Sequence, residues 1–588
     1  MGLWYIRKCR FDKAEEYLRK AVKLSQKRNP NPYDGEPIYN LAIALKYQGQ
    51  LEEAYEWFWK ATWNKAWTDA GYFEAAKISV AQQRLDDAIE ELNRCLIFNA
   101  HNQKALALKA SVLRHMKKKD QALVVCEEAL AIDPFNYGCL FEQFLLTEAT
   151  EKLDEMVQLM HGMSNNYDEI ALDYLSAGLR EEAEALWQTA INEGAVTPMT
   201  YYYIGRYEEA EQQSPNYCFP NRPEAAIALE KAKRENPKGA RAPYYLGCLY
   251  YDKRQYDLAI ENWELSATLD PMFPTVWRNL ALARFNKQDR QKEAVEYMEK
   301  AFALDHTDSR ILMELDQLYK RIQKSPAKRL QILQQYPQLT AQRDDLLLEE
   351  ITLLNQVGKY QEAMTKLDSH QFHPWEGGEG KVPTQYQICR VELAKQAIAD
   401  KAYDKAIKLL EECLEYPHHL GEGKLYGAQE NDFYYLLGCC HEALGERDKA
   451  HQCWELATQG PQEPAAAMYY NDAKPDKIFY QGLALIKLEH KDQANGRFYK
   501  LINFGKQHIF EKQVMDYFAV SLPDFLIWED SLDRKNEIHC KYMLALGYYG
   551  LGETEKGKRY LSELLQADIN HQGIMQLQSL IDLNHLSK

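Results

Sequence analysis

The sequence predicts an all-α fold, a right-handed superhelical solenoid of antiparallel helix pairs, roughly a dozen in number. Three observations carry that prediction. Small residues recur at Ala54, Ala88 and Ala122, each 34 residues after the last. Seven positions further on, Ala61, Cys95 and Ala129 keep the same interval. At 588 residues the chain is also too long for one ordinary hydrophobic core.

The residue types follow from the packing a helix pair needs. A small residue at the crossing lets two antiparallel helices approach closely, and an aromatic fills the space between successive pairs. The stretch from Tyr244 to Pro271 (YYLGCLYYDKRQYDLAIENWELSATLDP) shows the whole unit. Leu246-Gly247 marks the crossing on the first helix, and Tyr250 and Tyr256 sit at the turn. Ala259, Trp263 and Ala267 line the second helix, and Pro271 ends it because proline cannot continue a helix. This is the tetratricopeptide (TPR) pattern. Further copies centre on Ala14, Ala183, Ala225, Ala294, Ala363, Ala406, Ala450 and Ala494, with Gly557 taking that place in a final unit.

Two stretches, about 140–160 and 311–335, carry degenerate copies. The expected organisation is an N-terminal array over 1–335 and a C-terminal array over 336–588. The first unit has a shortened first helix, so Trp4 and Ile6 are expected to face an absent neighbour. A missing capping repeat, or a longer parent protein, would account for it.

Composition removes several function classes. The net charge of -16 argues against nucleic acid, which is held by an excess of Lys and Arg. No apolar run reaches membrane-spanning length and the N-terminus lacks a signal-peptide pattern, so a cytoplasmic chain without a membrane partner is expected. The twelve cysteines include no CxxC pair and read as reduced packing residues. No spacing enforces a convergent acid and base, and the chain is expected to be no enzyme and to hold no cofactor.

Departures from a repeat are where special function tends to sit. The insert NPNPYDGEP at 29–37 brings Tyr33, Asp34 and Glu36. The turn KATWNKAWTDAG at 60–71 brings Trp63, Trp67 and Asp69. A third insert spans 213–223. These first two read in two ways: Trp63 and Trp67 pack between repeats, or they stack on a sugar whose hydroxyls bond the nearby carboxylates. Two further loops, HPWEGGEGK at 373–381 and HHLGEGK at 418–424, share the tail Gly-Glu-Gly-Lys, 43 residues apart. Trp375, Glu379, Lys381, Glu422 and Lys424 are their candidate ligand residues. The loops read as linkers whose glycines take positive φ, or as anion nests at helix starts. His370, His373, His418 and His419 lack the supporting Cys or carboxylate spacing of a zinc site, and no metal is assigned.

The run NPNPYDGEPIYNLAIALKYQGQLEEAYEWFWKATWNKAWTDAGYFEAA at 29–76 resembles the TPR region of bacterial DUF5107-containing TPR proteins. So do HPWEGGEGK, HLGEGKLYGAQENDFYYLLG and, toward the end, YFAVSLPDFLIWEDSLDRKNEIHCKYMLALGYYGLGE. The resemblance implies an N-terminal β-rich domain, similar to mutarotase-like sandwiches of carbohydrate-active proteins, that this chain lacks. The repeat itself, with its open N-terminal end and acidic surface, points to a non-enzymatic scaffold whose partner is a protein, and the resemblance makes that partner most naturally the β-rich domain supplied in cis or in trans. The alternative is that the solenoid contributes one wall of a saccharide-binding site, with an oligosaccharide as ligand.

Overall fold

A computed structural model describes residues 1–466, 472–514 and 527–586, with side chains through 583. Residues 517–526 of the last resemblance run lie outside the described residues. Among those described, the chain is helical without strands, and no helix is long and apolar enough to cross a membrane. The chain divides into two compact units, Met1–Met272 and Phe273–Lys588. The break expected between 335 and 336 lies inside the second unit, where helices Ser309–Arg321 and Asp344–Gln356 pack on each other across it.

The first unit holds eight helix pairs. They run Gly2–Arg7 with Phe11–Ser25, Glu36–Tyr47 with Leu51–Ala61, Thr68–Ala81 with Leu85–Phe98, and Gln103–His115 with Lys119–Ile132. Tyr137–Thr147 with Thr150–Met160 and Ser164–Ser176 with Arg180–Asn192 follow. In the seventh pair the first helix is cut short at Pro198–Ile204. A brief Tyr207–Gln212 and the irregular insert then precede its second helix, Pro223–Glu235. Arg241–Asp252 with Tyr256–Leu269 closes the unit.

The periodic small residues do what the pattern requires. Ala14, Ala54, Ala88, Ala122, Ala183 and Ala259 are completely buried at helix crossings. Each pair turns through a left-handed residue, Gly49 and Gly178 in two cases but Gln83, Lys117 and Arg254 in others. A side chain there costs about 1–2 kcal/mol of backbone strain, which the repeat packing on both sides outweighs.

The short first helix has a neighbour after all. Gln255 Nε2 donates to the Lys8 carbonyl at 2.8 Å, and Lys8 Nζ donates to the Arg254 carbonyl at 3.4 Å. Tyr47 OH donates to Glu224 at 2.7 Å. The unit's last turn therefore meets its first. Ile6 joins the core, while Trp4 stays half exposed beneath Lys8.

Among its described residues the second unit holds seven pairs and two further α-helices, the single turn Pro337–Thr340 and Gln572–Leu586. The pairs begin at Pro274–Gln288 with Gln291–Leu304 and end at Leu532–Gly550 with Thr554–Ala567. The degenerate stretch forms the pair Ser309–Arg321 with Pro326–Leu333, so both degenerate copies are true helix pairs. The last helix, Gln572–Leu586, leaves the stack and packs on Lys381–Ala399, the first helix of a pair four positions back.

Candidate functional site

The first helices of successive pairs line the concave face of a solenoid. In the first unit, four consecutive ones form a cleft of about 210 Å³. Helix Thr68–Ala81 contributes Phe73 and Lys77, and helix Gln103–His115 contributes Gln103, Lys104 and Leu108. Tyr137 comes from the fifth pair, and Glu169, Ile170, Asp173 and Tyr174 from the sixth. Asp133 and Phe135 reach in from the loop between the fourth and fifth pairs. Asn102 and Asn136 fix the helix starts here by accepting from the backbone N–H of Ala105 and Cys139.

The charges around the cleft are already partnered. Lys77 and Lys46 both hold Glu74, at 2.7 and 2.6 Å. Burial alone would raise the Glu74 carboxyl, but these two ammonium groups bring it down to about 2. Lys104 reaches Asp173 at 2.9 Å, and Arg222, from the third insert, reaches Glu169. Asp133 accepts from the Phe135 N–H. Behind Tyr174 lies a second network. Arg114 binds Glu142 at 2.7 Å and Glu182 at 2.8 Å, His115 meets Glu182, and Tyr174 OH donates to Glu142. Against the desolvation of Glu182, His115 and Arg114 hold its carboxyl at about 2.

What the cleft leaves free for a ligand is the rings of Phe73, Phe135, Tyr137 and Tyr174 with Leu108 and Ile170, and one buried amide donor, Gln103 Nε2. Its volume falls below the ~300–1,000 Å³ of pockets that engulf a small molecule. It suits an anchoring side chain of an extended segment. Large apolar side chains are also exposed at or beside five successive inter-pair loops, at Tyr33, Trp63, Phe98 (the last residue of its helix), Phe135 and Met163. Phe135 belongs to both this edge and the cleft.

Of the residues singled out from sequence, those of the first insert and the Trp turn do come together. Asn64 Nδ2 donates to the Tyr33 carbonyl at 2.5 Å, and Lys60 Nζ donates to Asn31 Oδ1 at 3.0 Å. Trp67 lies on Tyr39, ring centroids 4.6 Å apart, and packs into the core. Trp63 is 63% exposed, with Lys60 Nζ over its ring at 3.5 Å. Trp67 thus packs into the core, and Trp63 stands exposed. Asp34 caps its own turn by accepting from the Glu36 N–H, and Asp69 accepts from Asn99, at the end of the second helix of its own pair. Tyr33 and Glu36 are exposed.

The two Gly-Glu-Gly-Lys loops pack on each other in the second unit. Gly380, at φ +72°, starts helix Lys381–Ala399, and its N–H donates to Glu422 Oε2 at 2.7 Å. The N–H at this helix start is therefore taken by a carboxyl of the sister loop. Burial pushes the Glu422 carboxyl up, against the lowering by the Gly380 N–H. Phe372 N–H donates to the His419 carbonyl at 2.8 Å, stitching the loops together. Trp375 covers Gly378, Glu379 is exposed, and Lys424 binds Glu430 at 2.6 Å. Lys381 has a partner of its own. His370 and His373 both bind Asp344.

The tetratricopeptide repeat family matches at residues 244–308, and a second tetratricopeptide repeat profile at 1–28 and 103–136. The chain carries tetratricopeptide repeats. Its fold is the TPR α-solenoid that the sequence predicts. Solved structures with the same repeat include a tetratricopeptide repeat protein from Parabacteroides merdae, at 14% identity over 49% of this chain and 97% of that one, TM-score 0.24. The APC/C hetero-tetramer Cut9-Hcn1 matches at 13% identity over 85% and 92%, TM-score 0.23. YrrB, described as a TPR protein with an unusual peptide-binding site, matches at 14% identity over 38% and 95%, TM-score 0.16.

The cleft residues were not read from the sequence. Phe73, Leu108 and Ile170 look like core positions there, because a concave face and a core face are both apolar at helical spacing. The signal was the loop after the fourth pair, where Phe135 follows a helix-ending Asp-Pro and has no interior to enter.

Proposed function

We propose that this TPR solenoid is a non-enzymatic scaffold whose first unit grips an extended segment of a protein partner through the Phe73–Ile170 cleft. One observation supports this most: each charged group at the cleft is partnered within the chain, so an incoming segment meets a ring-lined slot. Aromatic and long aliphatic anchors in such slots dominate binding energy. The resemblance to DUF5107-containing proteins makes a β-rich carbohydrate-active domain the natural partner, its body resting on the aromatic loop edge that runs into the cleft at Phe135. The test is a peptide-display selection on the full chain. Selected peptides should carry a large apolar anchor and lose at least tenfold in affinity to an Ile170→Glu chain. Peptides insensitive to that change would overturn the reading.

A second reading draws on the exposed rings of Tyr33 and Trp63 on adjacent loops held together by Asn64. They form one wall of a saccharide site, without Trp67. A thermal-shift screen against oligosaccharides tests it. At a hundred times the dissociation constant a ligand adds about 2.7 kcal/mol, and the shift should vanish in Trp63→Ala. A flat screen removes this reading.

A further inference from the structure

The concave face of the second unit is not empty. Residues 569–583 lie along it, and the way they are held is the way a groove holds a ligand. Three successive pairs present long polar side chains to the backbone of this segment. Gln323 Oε1 accepts from the Ile569 N–H at 2.8 Å, and Gln356 Nε2 donates to the Asn570 carbonyl at 2.5 Å. Lys395 Nζ donates to the Gln576 carbonyl at 3.1 Å and to Ser579 Oγ at 3.0 Å. Backbone readers of this kind do not depend on the sequence they hold.

The side chains add the selectivity. Gln385 and Gln572 face each other amide to amide. Leu577 and Leu580 are buried beside Phe479, Tyr480 and Tyr542, with a residual cavity of about 20 Å³ between them. Gly573 lies flush on the Tyr542 ring, where a Cβ would come within 2.6 Å of Cζ. The groove's own charges are internally satisfied: Lys395 with Glu392 at 2.8 Å, and Asp432 with Lys477. The segment they receive carries no Asp, Glu, Lys or Arg from Ile569 to Ile581.

We infer that the second unit is a peptide-binding groove for a Gln- and Leu-rich amphipathic helix whose seated stretch carries no charge, and that helix Gln572–Leu586, seated through Gln572 to Ile581, is its resident ligand, released when an external helix of the same chemistry takes its place. This site is independent of the cleft in the first unit and stands whether or not that cleft binds a partner. Packing inside the regular repeats rests instead on buried small residues at the crossings, such as Ala406, Ala450 and Ala494.

The test uses the full chain and a fluorescein-labelled peptide of residues 568–583. A Leu577→Asp/Leu580→Asp chain, whose own helix is ejected, should bind the peptide at least tenfold tighter than the wild type does. Adding Lys395→Met should cost that chain about tenfold. A peptide with Gly573→Ala should bind at least fivefold more weakly, although alanine makes it the better isolated helix. Equal binding by wild type and ejected chain, or no binding by an ejected chain that melts cooperatively, overturns the inference. Hydrogen exchange on the wild type gives an answer that needs no variant to fold. Amides of 572–583 should exchange through an opening that leaves Lys381–Ala399 protected. Simultaneous exchange of both helices would make the last helix an integral part of the unit and overturn the inference equally.

Discussion

Arg329 Nη1 donates to Asn570 Oδ1 at 2.9 Å, across 241 residues of sequence, from a guanidinium with no solvent exposure at all. The same group holds Asp316 at 3.0 and 2.5 Å and Glu349 at 2.5 Å, and Lys320 reaches Glu349 at 3.1 Å. One buried cation thus joins two repeats of the second unit to the turn that leads into its last helix. Removing one member of such a cluster leaves buried charge without compensation, at about 3–5 kcal/mol. Arg329→Met is expected to destabilise the second unit by that amount, read as lost protection of helix Asp344–Gln356 in urea-dependent hydrogen exchange.

Asp168 is the opposite case, a buried carboxylate with neutral donors only. It accepts from Trp187 Nε1 at 3.0 Å and from Thr200 Oγ1 at 3.1 Å, and burial pushes its carboxyl up to about 6. An acid whose folded pKa lies above its unfolded value, 3.8 here, binds its proton more tightly when folded. Its contribution is therefore full below pH ~4 and is lost as pH rises through 6, by up to about 3 kcal/mol. Asp168→Asn cannot titrate. The stability difference between variant and wild type should favour the variant more at pH 7 than at pH 4, in thermal melts across that range.

Glu74 runs the other way. Held at about 2 by Lys77 and Lys46, it contributes above its unfolded pKa of 4.5 and loses that contribution as pH falls toward 2. A Glu74→Gln chain should show a smaller stability loss than wild type between pH 5 and 2.

Asn64 ties the first insert to the Trp turn at Tyr33, beside the Lys60 bond to Asn31. Asn64 holds the Tyr33 carbonyl and accepts from the Ala66 N–H, capping the short helix Lys65–Trp67. Asn64→Ala should cost about 1 kcal/mol. It should also speed tryptic cleavage after Lys27 and Arg28, measured by limited proteolysis of the native chain.

Much of this fold was legible in the sequence. Each alanine that marks a second helix, from Ala14 to Ala494, lies buried at a crossing, and Gly557 sits against the Tyr549 ring. Even the degenerate stretches formed pairs, because burial of one apolar stripe suffices for a helix between two good neighbours. Long-range partners were not legible. Nothing local to Gly380 says that its acceptor is Glu422, and nothing in the shortened first helix says that Gln255 will close on Lys8. Trp63 and Trp67 occupy one turn four residues apart, yet only Trp67 has Tyr39 beneath it. Such differences are set by tertiary neighbours, which periodicity does not encode.

The measurement closest to the central claim is the affinity of a display-selected peptide for the full chain and for its Ile170→Glu variant, by fluorescence anisotropy. Ile170 lines the cleft and is only partly buried, so the substitution leaves the repeat core in place. A loss of at least tenfold, with an unchanged melt, is the predicted result. An unchanged affinity would place the partner elsewhere and contradict the account of the first unit's concave face as the binding surface.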